Sequence, residues 1–75
     1  MKTPFTVFYD TRSGIDYDES FPDLRSAMRY YNDLSPSVPF KSLVYYSVPL
    51  GSVTLLTSKG TNNLHHYGFL PCDYN

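Results

Sequence analysis

Apolar residues recur along this chain in two rhythms. Phe21, Leu24, Ala27, Met28, Tyr31 and Leu34 stand three or four apart, the spacing that lines one face of an α-helix. Ser20 is suited to cap that helix, and Asp23, three residues on, completes a short capping box. Pro22 falls in the first turn, where its missing N–H does no harm. Ser35-Pro36 ends the pattern, because the residue before proline avoids helical backbone angles. The spacing predicts a helix over 21–34.

Elsewhere the rhythm is that of strands. PFTVFYD (4–10) is rich in aromatic and β-branched residues, with Phe5, Val7 and Tyr9 on one face and Thr6 and Phe8 on the other. FKSLVYYSV (40–48), SVTLLTS (52–58) and LHHYGFL (64–70) read as three further strands. Pro49-Leu50-Gly51 and the stretch 59–63, KGTNN, read as the turns between them. Residues 11–19 read as a polar loop around Gly14, and the tail from about Pro71 as loose. The expected fold is α+β: one helix on a four-stranded antiparallel sheet, in the order β-α-β-β-β. A single helix covers one face of such a sheet and leaves the other partly open. The paired Tyr45-Tyr46 must split between the faces. With Val44, Tyr46 and Val48 beneath the helix, Leu43 and Tyr45 point outward; the reverse arrangement suits the apolar character of both faces equally.

Seventy-five residues form one domain, 1–75, with no room for a second core. A chain of this size buries only about 60% of its unfolded surface, so its core is marginal. Cys72 is the lone cysteine, which excludes an internal disulfide, and with His65 and His66 it falls short of the four ligands of a structural zinc site. There are eight Tyr and five Phe. That many tyrosine hydroxyls exceed what so small a core can satisfy, so part of the set belongs at the surface, where Tyr favours interfaces. No run approaches the ~20 apolar residues of a membrane span. The start, Met1 to Phe5, lacks the apolar stretch of a signal peptide, and a lone cysteine suits the cytoplasm.

Catalytic groups are sparse. Cys72 lies between Pro71 and Asp73 rather than beside a base, and adjacent strand histidines point to opposite faces. The glycines are isolated and form no phosphate loop. No cofactor, metal or catalytic residue is expected, and the chain reads as a binding protein rather than an enzyme. Net charge of −1 lacks the basic surface that direct nucleic-acid binding requires. Charge is nonetheless uneven: 16–23, DYDESFPD, holds four acids and no base. Helix-dipole stabilisation accounts for Glu19 and Asp23. Asp16 and Asp18, with Tyr17 between them, equally suit steering toward a basic partner surface. Arg25 and Arg29 stand one turn apart on the helix's outer face, either as a solvated stripe with an Arg29–Asp33 pair or as a contact for an acidic group. The candidate partner-binding set is Asp16, Tyr17, Asp18, Glu19, Arg25, Arg29 and Tyr45.

The opening strand PFTVFYD, the capped helix SFPDLRSAMRYYNDL and the meander KSLVYYSV, SVTLLTSK and LHHYGFL together resemble the layout of small phage-encoded inhibitor proteins, in particular the anti-CRISPR proteins. The resemblance is architectural and covers most of the chain. It implies a stoichiometric inhibitor in the host cytoplasm, docking as a monomer or weak homodimer on a CRISPR effector complex and blocking target-DNA binding or nuclease recruitment. A DNA mimic needs dense negative charge over one face, which a net charge of −1 does not supply. A steric blocker needs a mixed aromatic and charged patch, which Tyr17, Tyr45, Arg25 and Arg29 offer. Two other roles fit the same layout: an inhibitor of another host machine such as RNA polymerase, and a homo-oligomeric assembly protein using the open sheet face.

Overall fold

A computed structural model describes residues 4–47 and 51–74. Four antiparallel strands and one main helix form an α+β fold. The strands are β1 (Phe5–Asp10), β2 (Asp16–Phe21), β3 (Phe40–Ser47) and β4 (Gly51–Thr57), and the helices are α1 (Leu24–Asp33) and the short α2 (Pro71–Tyr74). The sheet order is β2-β1-β3-β4. The class matches expectation, but the element order is β-β-α-β-β with α2 at the end.

The first correction concerns residues 11–19. Instead of a loop they turn back on β1. Thr11 N donates to Ile15 O and Gly14 N to Thr11 O, each at 3.0 Å, and Gly14 takes a positive φ of 82°. A three-residue hairpin loop needs such a left-handed residue before the second strand begins. The partner strand is then β2, in register from Phe5↔Phe21 to Asp10↔Asp16 without a bulge. β2 lies at one edge of the sheet.

Because β2 runs to Phe21, α1 starts later than the apolar spacing suggested. Asp23, not Ser20, is the N-cap: its Oδ1 accepts from Ser26 N at 2.7 Å. That bond holds the Asp23 carboxyl below its usual range, helped by the nearby Arg25. The helix ends at Asp33, and Leu34 is already extended ahead of Ser35-Pro36. The expected stripe is the buried one, since Leu24, Ala27, Met28 and Tyr31 all face the core. They meet Phe5 and Val7 of β1, Leu43 of β3 and Leu55 of β4. A register shift between Leu43 and Val44 lets β4 present both Leu55 and Leu56 to this side.

The second correction concerns residues 64–70, which form successive turns rather than a strand. Their backbone bonds are local: Tyr67 N to Asn63 O, Gly68 N to His65 O and Phe69 N to Leu64 O. Only Asn62 makes a bridge to the β4 edge, at Leu56, and Asn63 N donates to Leu55 O. Leu64 is buried, and Tyr67 and Phe69 pack beside it. The tail is ordered in a way not foreseen. Leu70 N donates to Asp73 Oδ2 at 2.7 Å and Asp73 N to Leu70 O at 2.8 Å, a reciprocal cap with Pro71 at the first helical position. The resulting α2 packs on α1, where Arg25 Nη2 donates to the Cys72 carbonyl at 3.1 Å. The expected end of the strand 40–48 at Val48, and Pro49 and Leu50 of the following turn, lie outside the described residues.

Candidate functional site

Strand parity and the observed register sort the sheet into two faces. Phe5, Val7 and Tyr9 lie on the α1 side with their partners Leu43 and Tyr45 on β3 and Tyr17, Glu19 and Phe21 on β2. The opposite face carries Thr6, Phe8 and Asp10 at the centre, Asp16, Asp18 and Ser20 on β2, and Phe40, Ser42, Val44 and Tyr46 on β3. Among the described residues no helix or strand lies over this second face.

Tyr45 therefore leaves the candidate set. Its ring stacks on Phe5 with centroids 5.0 Å apart and meets Phe69 edge-on at 5.4 Å. The outward tyrosine of the pair is Tyr46, 45% exposed. The reason is register: pairing Leu43 with Val7 places the odd-numbered residues of β3 under the helix. Lys41 shares that side, where its ammonium donates to the Tyr31 carbonyl at 2.9 Å and sits 4.4 Å from the Tyr31 ring centre.

Asp16, Tyr17, Asp18 and Glu19 are brought together on β2, every one of them exposed. Neither β1 nor β2 contains a basic residue. Asp10 stands directly across from Asp16, and its carboxyl is raised above the ordinary range by a hydrogen bond with the Asp16 side chain, then by partial burial and like charge. Such a pair gains from a nearby cation. The dipole reading of Glu19 fails, because Glu19 is a strand residue pointing to the α1 side; Asp23 alone serves the helix start.

Behind the acids runs an aromatic ladder. Tyr17 stacks on Tyr9 at 5.3 Å, Tyr9 lies 6.3 Å from Tyr30, and Tyr30 lies 5.2 Å from Phe21. Tyr17 remains 45% exposed at the outer end. The ladder joins the edge strand to α1 and gives β2 a rigid backing. It escaped the sequence reading because Tyr30 lies off the main helical stripe and Tyr17 was placed in a loop.

Arg25 and Arg29 are not part of this edge. They line a groove of about 510 Å³ on the flank of α1, together with Phe21, Tyr30 and the acids Asp23, Asp33 and Asp73. Arg25 already ties α2 to α1. The mixed charge of the groove suits a solvated, internally compensated face. His65, His66 and Cys72 are exposed, and among the described residues no group of three or more His, Cys, Asp or Glu is placed to hold a metal ion. No helix among the described residues is long and apolar enough to cross a membrane. Comparison with protein-family models, curated proteins and solved structures finds no match to this chain.

The ladder has a titration signature. The Tyr30 hydroxyl donates to Tyr9 Oη at 3.4 Å, and its pKa is pushed up to about 12, first by that bond and then by burial. Burial pushes Tyr31 in the same direction. A group held protonated in the fold contributes stability that is whole below its unfolded pKa and lost as pH rises through the folded one. Stability is expected to fall between about pH 10, the ordinary tyrosine value, and the pH of about 12 at which Tyr30 ionises. Ultraviolet titration of tyrosinate should show late-ionising groups, one of which disappears in Tyr30→Phe. A single transition of all eight tyrosines near the ordinary value rules the contact out.

Proposed function

We propose that this chain is a stoichiometric binding protein whose recognition surface is the acidic edge strand β2, and that it acts by covering a basic surface on a larger partner. The observation that carries this reading is the clustering of Asp10, Asp16, Asp18 and Glu19 on two strands without a base, beside a half-exposed Tyr17. Complementary charge steers association and fixes orientation. A rigid aromatic beside the charges supplies contact area at low entropy cost, as interface tyrosines do.

The resemblance to small phage-encoded inhibitors supplies a target class. Its supporting feature is the one main helix on a short antiparallel sheet in a chain of 75 residues; the meander that also suggested it is replaced by two hairpins. A CRISPR effector complex holds its guide–target duplex in a positively charged channel, a surface of the sign that β2 complements. On this reading the chain is an anti-CRISPR protein of the host cytoplasm, a steric blocker of target-DNA binding or nuclease recruitment. It is not a broad DNA mimic, because only Asp16, Asp18 and Glu19 lie on the edge strand and the net charge is −1.

The test is plasmid targeting in bacterial strains carrying active CRISPR systems of different types, with and without the chain expressed. Targeting is expected to be lost in at least one type, with a one-to-one complex of chain and effector in size-exclusion chromatography. Asp16→Lys with Asp18→Lys should restore targeting while leaving the fold intact. Undiminished targeting in every type overturns the assignment to CRISPR and leaves a different basic host machine, such as RNA polymerase, as the target to test.

A further inference from the structure

The two ends of the sheet are finished differently. On the β4 side, Thr57 N donates to Thr61 O and Asn63 N to Leu55 O, so part of that edge is already paired. On the β2 side no strand follows among the described residues. Which backbone groups are free there follows from the ladder. Hydrogen-bonded pairs alternate along antiparallel strands. Thr11 N donates to Ile15 O at the turn, so Tyr9↔Tyr17, Val7↔Glu19 and Phe5↔Phe21 are the bonded pairs of β1 and β2. The other side of β1 agrees: Tyr46 N donates to Pro4 O, so Thr6, Phe8 and Asp10 bond toward β3. The N–H and C=O groups of Asp16, Asp18 and Ser20 therefore point away from the sheet.

We infer that β2 captures an extended segment of a partner protein by strand addition, and that the segment carries basic side chains at alternate positions with an apolar residue between them. This inference rests on the reading of β2 as the recognition surface and specifies how that surface is used. Main-chain bonds give such pairing its affinity, and alternate side chains give it specificity. Residues opposite Asp16 and Asp18 project onto the open face beside those carboxylates, with Asp10 one strand further in. The residue between them projects to the α1 side, beside the half-exposed Tyr17 ring. The pattern read from the edge is basic–apolar–basic.

A second copy of this chain is the wrong occupant. Pairing β2 with itself about Asp18 sets Asp18 against Asp18 and brings two copies of the Asp16, Asp18 and Glu19 run along one seam, and like charges across a strand pair are destabilising. Edge strands that only need protection are commonly short, bulged, interrupted by proline or charged. β2 has six regular residues, no bulge and no proline. Its charge repels its own kind while leaving the backbone open to a cationic strand.

The probe is the peptide Lys-Val-Lys-Val-Lys, titrated into the isotope-labelled full chain and followed by backbone amide NMR. Saturable shifts are expected along 16–20, with slowed amide exchange at Asp16, Asp18 and Ser20. Asp16→Lys with Asp18→Lys should weaken binding by at least about tenfold, since each cross-strand charge pair is reversed. N-methylation of the peptide's lysine nitrogens, which face β2 in this register, should abolish binding. N-methylation of its valine nitrogens, which face away, should be tolerated. Equal binding of both methylated peptides, equal binding of Glu-Val-Glu-Val-Glu, or shifts confined to the α1 groove or the open face overturn strand addition. So does an absence of saturable binding, in which case the charges only keep copies apart. If the charge-reversal variant still loses inhibition of the target while the peptides fail to bind, strand addition is wrong and surface docking stands. If the peptides bind as expected while no CRISPR system is inhibited, strand addition is supported and the target class is wrong.

Discussion

Replacing Leu43 by alanine is expected to destabilise the fold by roughly 2–5 kcal/mol, the range for truncating a fully buried leucine. The neighbouring Val44→Ala should cost about 1 kcal/mol or less, because its methyl groups are only partly removed from water. Leu43 has no exposed surface and lies between Val7 and Leu56 in the register. Val44 lies on the face without a helix. A domain of this size holds only about 4–11 kcal/mol of total stability at ~0.05–0.15 kcal/mol per residue. Leu43→Ala should therefore remove a large share, and Leu43→Asp, which buries an unpaired charge, should leave no folded protein. Urea unfolding midpoints read the two alanine variants directly. The reverse ranking would place Val44 and Tyr46 under the helix and return Tyr45 to the surface.

That face assignment is where the sequence was ambiguous, and the ambiguity has a physical source. Both faces of β3 are apolar enough to be buried: Phe40, Val44 and Tyr46 on one, Leu43 and Tyr45 on the other. Parity tells which residues share a face but not which face is inside. Pairing with β1 decides it, because Val7 brings Leu43 with it. The helix was legible because its stripe is local and continuous, and its cap shifted only because Phe21 was claimed by a strand while still packing on Tyr30.

β2 was hidden by composition. Two Asp and one Glu in six residues depress strand propensity, and acids ahead of a helix invite a dipole explanation. Yet the alternation was present: Ile15, Tyr17 and Phe21 interleave with Asp16, Asp18 and Ser20. Gly14, three residues after Thr11, is the turn signal that joins this alternation to β1 as a hairpin. The opposite error was made at 64–70, where aromatic content suggested a strand. There Asn62 Oδ1 accepts from Leu64 N, and Gly68 takes a φ of 86°, so the backbone closes on itself in turns. Of the candidate site, the acid–Tyr17 cluster was legible as composition. Its geometry as a strand edge was not, because edge status depends on which strands pair.

The edge geometry makes an opposed pair of predictions on adjacent residues. Glu19→Pro should destabilise the domain by about 1–3 kcal/mol or more, because proline deletes the N–H that serves Val7 and leaves a buried carbonyl without its partner. Val7 has no exposed surface, so water cannot replace the lost bond. Asp18→Pro deletes an N–H that points to solvent, and proline is tolerated on edge strands in that phase. Its preceding residue, Tyr17, is already extended, as proline requires. Asp18→Pro should stay within about 1 kcal/mol of the parent, since an outward substitution away from the core seldom exceeds that. It should nevertheless fail to bind the lysine–valine peptide, having lost a donor the added strand needs. Thermal unfolding and the peptide titration together read both effects. If Asp18→Pro unfolds the protein and Glu19→Pro does not, the ladder phase is inverted and Tyr17 and Glu19 present the free edge. In that case the side chains entering beside Asp16 and Asp18 would come from residues the partner does not bond through, and a basic–apolar–basic segment would lose its reason to be selected.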